Sequence, residues 1–324
     1  MNYLVIGCGS IGKRHIKNIL KIDEDAKINV FDPDENQFNT LKNDINNNNV
    51  RYVNNLDKSF DSSEIAIICS PNHLHIEHSI EVAKHIKNLF IEKPLSHNLE
   101  TIDELINLIE KNNIIDMVAC NMRFYPNVKA VKEVVDKNIL GKMYAVRVET
   151  GYFLPYWRPH TDYRKGYGAF KEQGGGAALD CIHEVDLLLW FGGNSKRVKG
   201  ISTKVSNLEI ETEDIAIGLV EFDSGAIGEV HLDYIQRNYS RSCKIIGEKS
   251  TVEWDFLSGL TKLYDTENKK WEDYYNLSNT YDLNQMYIDE MNYFLDCVKN
   301  NKKSFNTVNN AKNTLEVALK IRAY

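Results

Sequence analysis

The sequence predicts an α/β protein in two parts. A parallel sheet covered by helices on both faces comes first, and an α+β domain built on a mostly antiparallel sheet follows. Three observations predict this. Over the first 120 residues, short apolar runs of strand length alternate with segments of helical period. Beyond about residue 121 strand-like runs dominate, with Asp223-Ser224-Gly225 as a hairpin signal between two of them. The 324 residues suit two domains, each able to bury its own core. The division is placed at 1–120 and 121–324.

Taken in order, 1–6 reads as a strand, and a glycine turn leads to a helix with Ile16, Ile19 and Leu20 on one face. Lys27 to Phe31 reads as a second strand, Gln37 to Leu41 as part of a helix, and the asparagine run 46–49 as a solvated loop. Strands are expected at 50–53, at 64–69 (apolar from Ile65 to Cys69, as in a buried parallel strand), at 88–91 and at 114–119. Helices are expected at 75–85 and 99–111. In the second part a helix at 126–138 precedes strands at 143–150, 197–205, 215–222, 226–234, 242–246 and 251–256, and helical pattern returns at 284–299 and 308–321.

A formal net charge of −7 without a long basic run argues against nucleic acid or an anionic membrane as partner. No apolar stretch approaches a membrane span, and the start carries no signal-peptide pattern. The six cysteines are scattered without a C-x-x-C pair, so a reduced, cytoplasmic protein without structural zinc is expected. His73, His75 and His78 are spaced as metal ligands could be, but read better as neutral histidines of a helix face, and no metal is expected.

Chemistry begins at Gly7-Cys8-Gly9-Ser10-Ile11-Gly12, a G-x-G-x-x-G between strand and helix. Gly7 permits the tight turn, Gly9 lets a pyrophosphate approach the backbone, and Gly12 lets helix and strand pack closely. The N–H groups at the helix start, among them those of Ser10 and Ile11, face the anion. Asp32 ends the second strand about twenty residues on, where a carboxylate binds the ribose hydroxyls of NAD. It should repel a 2′-phosphate, which favours NAD over NADP, with Lys13 and Arg14 as a partial offset. Gly7, Asp32, Ser70, Lys93 and Asn121 all fall at or just past predicted strand ends, where such sheets bind ligands. Two further stretches stand out. One is the polar-aromatic segment Trp157 to Arg164. The other is Gly174-Gly175-Gly176 followed by an apolar helix, which suggests a close approach of backbone to something bulky. Asp180 and His183 share a helix face at i, i+3, as do His183 and Asp186, so a carboxylate can orient this histidine.

The ordered set resembles the Gfo/Idh/MocA oxidoreductases. It comprises the glycine motif with His15, Ser70-Pro71-Asn72 with His75, Glu92-Lys93-Pro94, Asn121-Met122-Arg123-Phe124, and the triple glycine with Asp180 and His183. The resemblance implies an N-terminal Rossmann domain and a C-terminal domain on a large open sheet. It implies NAD bound through Gly7, Gly9, Ser10, Ile11, Gly12, Asp32, Ser70, Pro71, Asn72, His75, Glu92 and Lys93. It assigns catalysis to Lys93, Asp180 and His183, with His183 the acid/base, and substrate binding to Asn121, Arg123, Trp157, Arg158, Tyr163 and Arg164. Many members have three residues between this aspartate and histidine; here there are two. With the helix begun one residue later Glu184 would take the place, but the spacing to Asp186 keeps His183.

The chemistry agrees with the resemblance. Oxidising an alcohol takes a hydride from carbon and a proton from oxygen; a nicotinamide accepts the first, a base takes the second, and a cation steadies the alkoxide. The expected function is NAD-dependent oxidoreduction of a sugar. The Trp157–Arg164 stretch resembles a subgroup of surface-polysaccharide and nucleotide-sugar pathways, and Arg158, His160 and Arg164 suit a phosphate- or carboxylate-bearing substrate. The alternatives are a dehydrogenase of free polyols such as inositol, a glycosidase working through transient oxidation, and a non-catalytic NAD-binding regulator. A homodimer or homotetramer is expected through the uncovered face of the second sheet, with Val220, Phe222, Ile227 and Val230 as candidates.

Overall fold

A computed structural model describes residues 1–45 and 47–322. Asn46, part of the expected asparagine loop, lies outside the described residues. Two compact units are present: Met1–Ala119 with Leu283–Lys312, and Cys120–Asp282 with the chain from Asn313 on.

The first unit alternates β1 (Asn2–Ile6), α1 (Ser10–Ile22), β2 (Lys27–Phe31), α2 (Glu35–Asp44), β3 (Val50–Tyr52), α3 (Asp57–Phe60), β4 (Ile65–Ile68), α4 (His75–Ala83), β5 (Asn88–Ile91), α5 (Ile102–Asn112) and β6 (Ile115–Val118). All six strands run parallel in the order β3-β2-β1-β4-β5-β6. Every residue of β4 is buried, because helices cover a parallel sheet on both faces. The strand order reverses between β1 and β4, so the carboxyl ends of these strands flank the crevice where such sheets bind ligands.

The second unit holds α6 (Pro126–Asp136), β7 (Met143–Gly151), α7 (Leu154–Trp157), α8 (Ala177–Asp180) and α9 (Ile182–Gly192). Its remaining strands are β8 (Ser195–Thr203), β9 (Ile215–Phe222), β10 (Ile227–Asp233), β11 (Ser240–Gly247), β12 (Thr251–Asp255), β13 (Leu260–Asp265) and β14 (Lys270–Asn276). These eight strands order as β14-β13-β12-β11-β7-β10-β9-β8, and β7 with β10 is the parallel pair among antiparallel neighbours. Helices α10 (Gln285–Lys299) and α11 (Val308–Arg322) follow.

Helix α10 lies against α1 in the first unit: Asn18 and Asn284 exchange amide hydrogen bonds, Arg14 lies over the Tyr287 ring at 4.4 Å, and Phe294 meets Phe90 edge-on. The segment after it covers the outer edge of β6. The Val118 N–H donates to the Asn306 carbonyl at 2.8 Å and the Asn306 amide returns one to the Val118 carbonyl. An edge strand is thereby kept from pairing elsewhere.

Three expectations are corrected. The strands β13 and β14 are absent from the sequence reading. The apolar helix after the triple glycine is two helices, broken at Cys181 with φ −90° and ψ 29°. On the second sheet Val220, Phe222 and Val230 are fully buried on the helix-covered face, and of the four candidates Ile227 alone faces outward. Strand alternation puts Ile201, Ile217 and Leu219 on that outward side with it.

Candidate functional site

The glycine motif of the first unit is shaped by contact. Gly7 sits at φ +97°, and a Cβ there would lie 2.4 Å from the Cys69 carbonyl oxygen of β4. A Cβ on Gly12 would lie 2.0 Å from the Gly7 carbonyl, so helix and turn meet through glycine at both points. Gly9 differs: a Cβ there would meet nothing within 4 Å. It forms the N-terminal boundary of α1, and no side chain caps that end. The open side of Gly9 and the uncapped helix start fit the pyrophosphate of a dinucleotide. Asp32 is fixed beside this turn, its two oxygens accepting the Cys8 N–H at 2.7 Å and the Asp34 N–H at 2.9 Å. The two cations expected to offset it are turned elsewhere: Lys13 donates to Gln37, and Arg14 lies on Tyr287.

Lys93 follows β5 and is half-buried. The residues around it brace the turn. Glu92 is buried, accepts the Lys93 backbone N–H at 3.0 Å, and meets His15 Nε2 at 2.6 Å. Burial favours the protonated Glu92, but His15 and the Lys93 N–H outweigh it and hold its pKa below the usual value. His75 is buried too. Its ring nitrogens lie 2.8 Å from the Pro94 carbonyl and 2.7 Å from the Ser70 carbonyl. Burial lowers its pKa against the pull of those two carbonyls. The hydroxyl of Ser70 pairs with His78, while Pro71 is exposed and Asn72 half-buried in a 3₁₀ turn. Expected as cofactor contacts, Glu92 and His75 thus form hydrogen bonds inside the protein, at the two ends of the Glu92-Lys93-Pro94 turn.

In the second unit the close approach expected at the triple glycine is made to the chain itself. A Cβ on Gly175 would lie 2.3 Å from the Tyr167 carbonyl and 2.6 Å from that of Gly168. The bulky neighbour is the chain's own Tyr167 turn. That close approach delivers a feature the sequence reading missed. The Asp180 carboxylate accepts hydroxyls from Tyr152 at 2.6 Å, from Tyr234 at 3.2 Å, and from Tyr167. Three tyrosines from separate loops carry no local spacing signal, so periodicity could not have found them.

His183 is half-buried on the first turn of α9. Its neighbour Glu184 is buried and paired with Arg241 at 2.7 Å. Asp186, expected beside His183, receives two bonds from Arg123 at 2.6 and 2.8 Å. Arg123, expected at the substrate, is therefore a buried partner of α9, with Trp190 5.2 Å from its guanidinium. Asn121 is buried beside it in a 3₁₀ turn.

The segment 153–166 is the most exposed of the predicted stretches. Half of Trp157 faces solvent, and its ring stacks on Tyr152 at 4.4 Å. Arg164 pairs with Asp162 at 2.8 and 3.0 Å and approaches Glu209, so its charge is already answered. The hydroxyl of Tyr163 accepts the Glu209 N–H. Arg158 is exposed and close enough to Tyr167 to ease its ionisation. Among the described residues no group of three His, Cys, Asp or Glu side chains could hold a metal, and no helix is long and apolar enough to cross a membrane.

Two family models match the chain: an oxidoreductase family with an NAD-binding Rossmann fold (GFO_IDH_MocA) over residues 1–120, and the GFO/IDH/MocA C-terminal domain over residues 128–253. Myo-inositol 2-dehydrogenase of Thermotoga maritima is 28% identical over 306 residues, which are 91% of this chain and 87% of that protein. Among solved structures, levoglucosan dehydrogenase in complex with NADH shares the fold with a TM-score of 0.87 at 17% identity, covering 99% of this chain and 95% of that one. UDP-N-acetylglucosamine 3-dehydrogenase from Acidithiobacillus ferrooxidans does so with a TM-score of 0.81 at 18% identity, covering 100% and 97%.

Proposed function

The chain belongs to the GFO/IDH/MocA oxidoreductase family, whose first domain is an NAD-binding Rossmann fold, and from that premise we propose that it transfers a hydride between NAD and a hydroxyl-bearing carbon of a sugar. The observation that carries the reading is the cofactor cradle of the first unit, and the chain also holds groups suited to alcohol chemistry. The cradle is the open Gly9 turn with Asp32 fixed beside it. The groups are Lys93, Asp180 and His183, each half-buried at the end or start of an element.

NAD, once bound, supplies the hydride acceptor. The Gly7–Gly12 turn would hold its pyrophosphate and Asp32 its ribose. In the proposed assignment Lys93 offers positive charge to the developing alkoxide and His183 takes the hydroxyl proton. The alcohol becomes a carbonyl, with one hydride and one proton removed. The relatives named above act on inositol, levoglucosan and a UDP-sugar, which supports a sugar or polyol as substrate class.

Within that class we favour a nucleotide-linked or acidic sugar. Arg158 supports this reading: among the described residues its guanidinium has no ion-pair partner, and it lies close to Tyr167, which binds Asp180. A guanidinium suits phosphate or carboxylate. Purified protein with NAD⁺, screened at the nicotinamide absorbance against UDP-sugars, uronic acids, free inositols and glycosides, tests it. Reduction with charged sugars, impaired by Arg158→Ala, is expected. Turnover of inositols alone would overturn the anionic substrate, and glycoside cleavage without net NADH would favour a glycosidase.

A further inference from the structure

We propose that Tyr152, Tyr167 and Tyr234 are positioning residues that hold Asp180 as a lasting anion, so that Asp180 orients and charges its surroundings while the proton of the reaction moves through another group. This deepens the proposed function and rests on it for the word reaction; the state of Asp180 itself does not depend on the substrate.

A carboxylate has about four lone-pair sites for donors. Oδ2 of Asp180 accepts two phenol hydroxyls, from Tyr152 at 2.6 Å and Tyr234 at 3.2 Å, and Oδ1 accepts that of Tyr167. A proton arriving on Asp180 would remove the charge that strengthens these three bonds. Hydrogen bonds to the charged form of an acid favour that form, and bonds with an ionised partner are the stronger kind. The donors cannot give way by ionising. Burial pushes all three phenols well above the usual tyrosine value, and the negative charge of Asp180 pushes them further. They remain hydroxyls at any pH where the protein works.

The other groups facing this cluster come from each element around it. Cys181 adjoins Asp180 on the chain and His183 lies on the following turn. Arg158 eases Tyr167 toward ionisation, and Glu213 opposes it at Tyr234.

The backbone is built to assemble the three rings. Tyr152 and Tyr234 follow directly on β7 and β10, the parallel central pair, and the Tyr152 N–H bonds the Asp233 carbonyl. Tyr167 comes from a separate 3₁₀ turn, admitted by Gly175, and the Gly176 N–H and the Thr212 hydroxyl both bond the Gly168 carbonyl next to it. Asp180 ends α8, which starts at those same glycines. Gly175 therefore serves the tyrosine cluster.

The test is a carbon-13 titration of aspartate carboxyls in the intact protein, with Asp180 assigned by its loss in Asp180→Asn. Asp180 is expected to stay ionised at pH values where exposed aspartates, with midpoints near about 3.9, have taken up protons. Tyr152→Phe and Tyr167→Phe should each raise its midpoint by about one pH unit or more, since each removes one donor to the anion. Gly175→Ala should do the same by displacing Tyr167. Circular dichroism and Tm confirm folding for each variant, and the wild-type titration stands even where a variant unfolds. An Asp180 that titrates with the exposed aspartates, or one indifferent to all three substitutions in folded protein, overturns the proposal. Because no substrate is used, failure of the sugar assignment would leave this result readable.

Discussion

Lys93 reaches its place through residues that share none of its chemistry. Two buried histidines stand behind it, His15 through Glu92 and His75 through the carbonyls of Ser70 and Pro94. If Lys93 supplies charge and His183 moves the proton, Lys93→Met and His183→Asn should each lower kcat by about 10²–10⁴-fold. NAD affinity, read by titration of NADH fluorescence, should hold. The double variant should lose less than the product of the singles. Glu184→Gln should instead cost stability, because it strips a buried Arg241 of its counter-charge; lowered Tm with retained kcat is the expected pattern. At Asp32 the expectation is tighter binding of NAD(H) than NADP(H), narrowed in Asp32→Ala. Equal wild-type affinities for both would remove the basis of that assignment. Residue types were legible wherever a motif carried them, as at Gly7, Asp32, Lys93 and His183. What a side chain does with its charge was not: Arg123 and Arg164 read as open cations and are held by Asp186 and Asp162.

Elements were legible in proportion to their contrast. The buried β4 and the alternating β9 stand out because burial on two faces and on one face write different periods. The hairpin β13–β14 was missed because β14 is largely exposed, and Lys270-Trp271-Glu272-Asp273 carries no apolar face to read. The break at Cys181 was missed because helix runs up to it on both sides, without a glycine or proline to mark it. One element end gives a pH prediction. Asp116 of β6 accepts the Val308 N–H at the start of α11, and burial, opposed by that bond, pushes its carboxyl up to about 6. In an unfolded chain the same group titrates near about 3.9. The native state keeps the proton to higher pH, so the contribution of Asp116 is complete below about 4 and is lost as pH rises toward 6, a change on the order of 2–3 kcal/mol. Asp116→Asn should remove this limb from a plot of Tm against pH, and an unchanged slope between pH 4 and 6 would contradict the assignment.

For the whole molecule, the outward face of the second sheet is the surface proposed for association of copies. Ile201, Ile217, Leu219 and Ile227 are 69%, 38%, 54% and 49% exposed on strands β8 to β10. Apolar residues grouped in this way mark an association surface, and a second copy of the chain is the occupant proposed for it. Light scattering at micromolar concentration should give a dimer or tetramer, and Leu219→Glu should shift it toward monomer with the fold intact. A monomeric wild type would rule this out. The first unit carries another consequence, one of timing. Its strands β1 to β6 are complete by Val118, yet α10 and the stretch that seals β6 arrive only at 285–308. On the ribosome, then, these six strands wait with Phe90 and the β6 edge uncovered until α10 has been made. The interval before α10 emerges is when this protein most needs a chaperone, and a fragment stopped at residue 120 should be collected as aggregate.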